Sequence, residues 1–337
     1  MMNNTRDKQV DFLRFIGTLL VILAHVNPPE TINMLRSFDV CLLVLLSGYS
    51  YKPIKKYGAY CVKRIKRLCV PAWLCATVTF VLCGVVCLIT HHEYVYLSRQ
   101  IIETYLFVDG GIGLLWVVRI YMLMALIAPG IERLNSRITN DYLYLGIIVF
   151  ALILNEALYL CVYGNNDILD FVVKNYLMSV IAYGCVYGVG MRIKGNKKLS
   201  LQYLGAFLLL FLLCIPYLVF KGGYHATDFK YPPRSVYIIF GVLVSLLCWQ
   251  AINCVRCNAL QKSQSIVWLS TNSFDIYLFH ALIIYVLSWG NDILSRFSLY
   301  KEWWFRYLLI VFGSLVMTLI LDKIKKRYYL QRQYKID

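Results

Sequence analysis

Residues Asp11–His25 read DFLRFIGTLLVILAH. A helix turns about 100° per residue, so the eleven-residue step from Arg14 to His25 returns both side chains to within about 20° of each other, some 16 Å apart along the axis. Asp11 stands one turn before Arg14, and Thr18 lies one turn after it. One face thus carries Asp11, Arg14, Thr18 and His25, and the rest is Leu, Ile, Val and Phe with Gly17 and Ala24. Ionisable groups inside an apolar span are costly, and each marks a functional site by default. Two plainer readings compete: Arg14 snorkels to an interface, and His25 simply ends the span.

Working outward, nine further apolar stretches approach the roughly 20 residues that cross a hydrocarbon core. The ten spans run Val10–Val26, Phe38–Tyr51, Pro71–Thr90, Gly113–Ala128, Tyr142–Val162, Asn175–Gly190, Leu201–Phe220, Ser235–Gln250, Asn272–Ser288 and Trp303–Leu321. The second is the shortest. Composition agrees: 60% of residues are hydrophobic and 15% charged, against roughly 45–50% and about 25% in soluble domains. A soluble enzyme and a disordered chain are both excluded. The expected fold is an all-α, polytopic integral membrane protein, with residues 1–337 as one transmembrane domain and no soluble hydrolase-like domain at its C-terminus.

The net charge of +16 would suggest nucleic acid in a soluble protein. Its distribution argues otherwise. Counted over alternate loops, 23 of the 34 Lys and Arg residues fall on one side, with Lys52–Arg67, Arg192–Lys198 and Lys323–Lys335 the heaviest segments. By the positive-inside rule both termini are cytoplasmic, and no nucleic-acid partner is needed. The first span is not a cleavable signal, because Arg14 interrupts it and no small-residue cleavage site follows. No internal repeat is visible, which weighs against a transporter built from duplicated halves.

Other polar residues inside spans add candidates. Ser273, Tyr277 and His280 follow i, i+4, i+7 spacing on one helix face, and Asp275 points elsewhere. His280 reads either as a site residue or as a core histidine bonded to a neighbouring helix. Arg119, in GLLWVVRIYM, needs an anionic ligand or a structural partner such as Glu156 or Asp39. In LLSGYSY, Gly48 permits close helix packing and Ser47 can bond across helices. The basic loop with Lys63, Arg64, Lys66 and Arg67 reads as topology, as attraction to anionic lipid, or as a phosphate site. His91, His92 and His225 read as solvated. The pair Cys254–Cys257 has metal or redox spacing but stands alone, without a second pair or a nearby His. No metal site is expected.

Taken in order, these segments resemble the membrane acyltransferase-3 family. DFLRFIGTLLVILAH resembles its first-helix motif, with Asp11, Arg14 and a His eleven residues on. SFDVCLLVLLSGY resembles its second-helix segment, with Leu45-Leu46 where Phe-Phe is usual. KRIKRLCVPAW resembles the basic run leading into a proline, met by Arg64 and Arg67, and NSFDIYLFH resembles the late motif ending at His280.

The resemblance implies transfer of an acyl group, usually acetyl from acetyl-CoA, to a hydroxyl of a cell-surface glycan such as O-antigen, capsule or exopolysaccharide, often on a lipid carrier, at the plasma (inner) membrane of a bacterium. On this reading acyl-CoA phosphates sit near Arg14, Arg64 and Arg67, with Arg119 a further candidate for cofactor binding. His25 is the base or the acyl carrier, Asp11 orients Arg14, and Tyr277 and His280 attend the developing oxyanion. The rival class is a flippase for lipid-linked sugars, in which buried charges would line a pathway.

Overall fold

The computed structural model describes residues 7–108, 110–162, 164, 168–220, 225–254 and 263–333. Cys257 lies outside them, while Cys254 is exposed. Among the described residues there is no strand. The helices are α1 (Lys8–Leu23), α2 (Glu30–Arg36), α3 (Asp39–Tyr49), α4 (Tyr57–Thr90), α5 (Ser98–Tyr105), α6 (Trp116–Arg137), α7 (Asp141–Val162) and α8 (Ile168–Val172). There follow α9 (Met178–Arg192), α10 (Lys197–Phe220), α11 (Ser235–Cys254), α12 (Gln264–Thr271), α13 (Ser273–Trp289), α14 (Asn291–Leu294), α15 (Ser298–Lys301) and α16 (Trp303–Gln333). The chain is an all-α polytopic membrane protein. Among the described residues eight helical units are long and apolar enough to cross a bilayer, and the bent pair α12–α13 makes nine; of the ten spans expected, α1 falls short because it has only 16 residues.

The boundaries refine the reading of the sequence. The first helix has 16 residues, opened by the Asp7 side chain accepting from the Gln9 and Val10 amides. It stops short of His25, because Asn27 takes a left-handed backbone (φ 52°) and Pro28 and Pro29 follow. At 16 residues α1 is shorter than the other spans. The short second span gains length from α2, so that Glu30–Tyr49 makes 20 residues around a break at Ser37–Phe38. Lys52–Arg67, expected as a loop, is helical from Tyr57 onward, since α4 runs 34 residues through Pro71. The long stems of Lys and Arg let such a helix continue past the apolar layer with its charges in water. The ninth span is preceded by α12, bent from α13 by 62°.

Burial separates inner from outer helices. In α10 only 11% of the most apolar window is buried, and in α7 and α16 only 17%, against 67% for α2–α3 and 61% for α11. Leu, Ile, Val and Phe on the outer faces are exposed, as a lipid-facing surface requires. At the centre, α3 lies against α9 in the most extensive helix pairing among the described residues. Gly48 and Gly190 make the contact possible. A Cβ on Gly48 would run into the Tyr187 carbonyl, and one on Gly190 into the Leu45 carbonyl.

Two ion networks fasten the ends. Near the start of the bundle, Arg192 bridges to Asp141 (2.6 Å) and donates to the carbonyls of Asn135, Ile138 and Thr139, closing α6, α7 and α9. At the far end Arg234 pairs with Glu156 and bonds Tyr217 Oη (3.1 Å). Ser47, expected to bond across helices, instead donates to Leu43 of its own helix (2.8 Å) and lines the cavity described below.

Overpacking a tight core costs about 1–3 kcal/mol. Gly48→Ala is therefore expected to lower the melting temperature in detergent clearly. Gly146→Ala and Gly205→Ala, whose new methyl groups meet open space, should be neutral or slightly stabilising by helix propensity.

Candidate active site

The site begins with a buried carboxylate. Asp11, 2% exposed, lies 3.7 Å from the Arg14 guanidinium and accepts a 2.7 Å hydrogen bond from Ser270 Oγ on α12. A carboxylate inside a helical bundle demands such partners. Arg14 also reaches Ser50 Oγ at 3.3 Å, past the end of α3, and Thr18 Oγ1 caps the Arg14 carbonyl (3.0 Å). The polar face of α1 is thereby tied to α3 and α12. Asp275 turns away, to Lys325 (2.8 Å).

Arg14 and Thr18 line a cavity of about 630 Å³. Its mouth is basic: Lys52, Arg64 and Arg67 stand there with Tyr60. Tyr60, Arg64 and Arg67 share one face of α4 through i, i+4, i+7 spacing, with the Arg64 guanidinium 5.0 Å from the Tyr60 ring centroid. Just behind the mouth, Lys194 Nζ donates to the Tyr51 carbonyl (2.5 Å). Burial, with Lys52 alongside, pushes the Lys194 ammonium below the ordinary lysine pKa, another mark of crowded positive charge. The inner end is apolar and aromatic, with Val21, Val117, Tyr121, Phe274 and Tyr277.

Beyond Tyr277 lie the two histidines. The Tyr277 and His280 rings are 5.1 Å apart by centroid, and those of His280 and His25 are 5.6 Å apart. Tyr277 Oη donates to the Leu114 carbonyl, and His280 Nδ1 meets the Tyr277 carbonyl. The second contact needs the proton on Nδ1, so Nε2 is left as an acceptor; it is buried with no partner among the described residues. Both protons are committed. As the structure stands, neither Tyr277 nor His280 has one to offer an oxyanion.

The structure thus brings Arg14, Arg64, Arg67 and Tyr277 to one cavity, sets Asp11 behind it, and places His25 and His280 past its inner end. Arg119 is elsewhere. It is buried, and donates to the Phe107 carbonyl (3.0 Å) and to Asn175 Oδ1 (2.8 Å), in the π-helical turn Val173–Leu177. Neither Glu156 nor Asp39 is its partner: Arg234 holds the first, and Arg36 and Lys230 the second. Tyr60, Tyr121 and Ser270 were missed from sequence. The spacing of Tyr60 with the two arginines could have found it, but Ser270 pairs with a residue 259 positions away and gives no local signal.

A family profile described as an acyltransferase domain matches residues 7–323. The chain belongs to the acyltransferase-3 family. No curated protein and no solved structure matches it. In this membrane acyltransferase every motif residue named above, from Asp11 to His280, falls within the matched region. Membership fixes the reaction class, and the cavity is the place to look for the acyl donor.

Removing a partner from a buried charge costs about 1–3 kcal/mol or more. Ser270→Ala should therefore destabilise the protein in detergent melts. Combined with Asp11→Asn, it should lose much less than the sum of the single effects, because the two residues form one interaction.

Proposed function

We propose that the protein is an O-acyltransferase, moving an acetyl group from acetyl-CoA to a hydroxyl of a cell-surface glycan or its lipid-linked precursor. The observation that carries this reading is the cavity that is basic at one end, aromatic at the other, and stops beside a pair of histidines. The acyl donor enters from the cytoplasm, where the positive-inside count puts the basic mouth. Its phosphates meet Arg64, Arg67 and Lys52, since guanidinium groups give phosphate both charge and several donors. Tyr60 offers a face for the adenine. The pantetheine arm follows Arg14, Thr18 and Val21 along α1 toward His25, which lies just past the end of that helix.

At His25 the acceptor hydroxyl gives its proton to the imidazole while its oxygen attacks the thioester carbon. The new C–O bond forms, the C–S bond breaks, and the thiolate leaves with the proton that His25 returns. A neutral imidazole suits that exchange. Asp11 acts one step removed, by holding Arg14. His280, whose ring lies 5.6 Å from that of His25 and whose Nε2 is buried with no partner among the described residues, is a positioning residue that would accept the His25 proton after a small shift. An acyl-His25 intermediate would use the same residues: the imidazole nitrogen displaces the thiolate, and the acceptor hydroxyl then takes the acyl group and frees the imidazole.

His25→Ala is expected to abolish acetyl-CoA consumption and glycan acetylation while the protein remains at its normal level in the membrane. Activity near wild type in that variant would remove the central role, and thioester left intact by the wild-type protein with acceptor present would point to transport. Arg64→Ala with Arg67→Ala should raise KM for acetyl-CoA by about 10–100-fold, on roughly 1.5–3 kcal/mol for a charged hydrogen bond, and change kcat far less.

A further inference from the structure

On the other side of His25 from the cavity lies a second charged cluster. Asp39, 1% exposed, opens α3, while Ser50 and Tyr51 at the opposite end of that helix line the donor cavity. Arg36 Nη1 donates to Asp39 (2.7 Å), and Lys230 Nζ lies 3.2 Å from the other carboxylate oxygen. Arg36 and Lys230 are both buried. Among the described residues, one buried carboxylate thus faces two buried cations. Next to His25 in the chain, the Val26 carbonyl accepts from Arg306 Nη2 (2.9 Å), and the Arg306 Nε is buried with no partner among the described residues. Arg36 and Lys230 are within electrostatic reach of His25. At the rim, His225 meets the exposed Glu30 (3.4 Å).

Such an imbalance is expensive in a membrane protein, where an uncompensated buried charge costs several kcal/mol. Aromatic faces offset part of it: Lys230 Nζ stands 5.7–5.9 Å from the ring centroids of Trp116, Tyr231 and Tyr237. Tyr231 sits edge-on to Trp116 at 5.2 Å and is 53% exposed, so this aromatic corner opens outward. An arriving anionic group would meet positive charge, a ring for a sugar face, and His25 together.

We infer that this cluster is the acceptor subsite, and that the acceptor carries an anionic oxygen group, carboxylate or phosphate, close to the hydroxyl that is acylated. The inference rests on the acyl-transfer reading of His25 and adds the chemical class of acceptor. Arg36, Lys230 and Arg306 hold the anion, Asp39 keeps two of them in place, and the Trp116–Tyr231 corner carries the sugar ring.

Binding measured without any thioester tests this separately from catalysis. The purified full chain would be titrated with a uronate-containing oligosaccharide and its carboxyl-reduced counterpart, and with a polyprenyl diphosphate-linked neutral sugar and the same sugar free. The expected result is at least tenfold tighter binding of one anionic probe than of its neutral twin, and the arm that responds distinguishes carboxylate from phosphate. Lys230→Gln should bring that ratio to within about twofold, and Lys230→Arg should keep it. If Lys230→Gln does not accumulate in the membrane, Arg306→Gln carries the test with the same expected loss of preference. Charge-blind binding by the wild type, no binding of any probe, or a preference that survives in the glutamine variant would overturn the inference. Normal acyl transfer by His25→Ala would instead sink the catalytic reading, and the binding ratios would be unaffected by that failure.

Discussion

Everything in this bundle is hung on the contact between α3 and α9. Gly48 lies on the Tyr187 carbonyl and Gly190 on the Leu45 carbonyl, so the two backbones touch where side chains would ordinarily stand between them. In lipid there is no water to expel between helices, and close packing of this kind is a main source of their association. The result is a central helix with Leu42, Val44, Leu45 and Leu46 fully buried and Asp39 and Ser50 at its two ends. One of those ends lies at the cavity lined by Arg14 and Arg64, and the other in the ion cluster of Arg36, Asp39 and Lys230.

A helix held that firmly forces its neighbours to satisfy their own polar groups. Asp11 does so through Arg14 and Ser270, and thereby fastens the short α1 to α12, just before the 62° bend into α13. The bend turns Thr271, Ser273, Phe274 and Tyr277 toward the cavity, while Asp275 goes to Lys325 on α16. One buried carboxylate thus sets the position of the basic residue at one wall of the cavity and of the aromatic residues at the opposite one.

Much of this was legible in the sequence, and the limits have physical causes. Hydropathy found the helical segments, because the bilayer imposes one length and one polarity on each. It could not find where α1 ends, which depends on the left-handed Asn27 and two prolines, nor that α4 begins at Tyr57, since a basic amphipathic stretch reads as loop when only apolar runs are sought. The helical period placed Asp11, Arg14, Thr18 and His25 on one face, and Asp11, Arg14 and Thr18 do share one network. Contacts across the bundle carry no such period. Ser270 with Asp11, Lys230 with Asp39 and Arg119 with Asn175 join residues far apart in the chain, and a single sequence holds no trace of those pairings.

The position of Tyr277 has a consequence for how the two regions communicate. The cavity reaches this ring, and His25 lies one further ring away, beside His280. Tyr277 is held on both sides: its hydroxyl is tied to the Leu114 carbonyl just before α6, and its own carbonyl meets His280. Among the described residues, the rings of Tyr277 and His280 thus stand between the cavity and His25. On the proposed acyl-transfer reading, a thioester bound in the cavity would have to pass this ring to reach His25, and in a close-packed interior the smaller the acyl group the less it would displace.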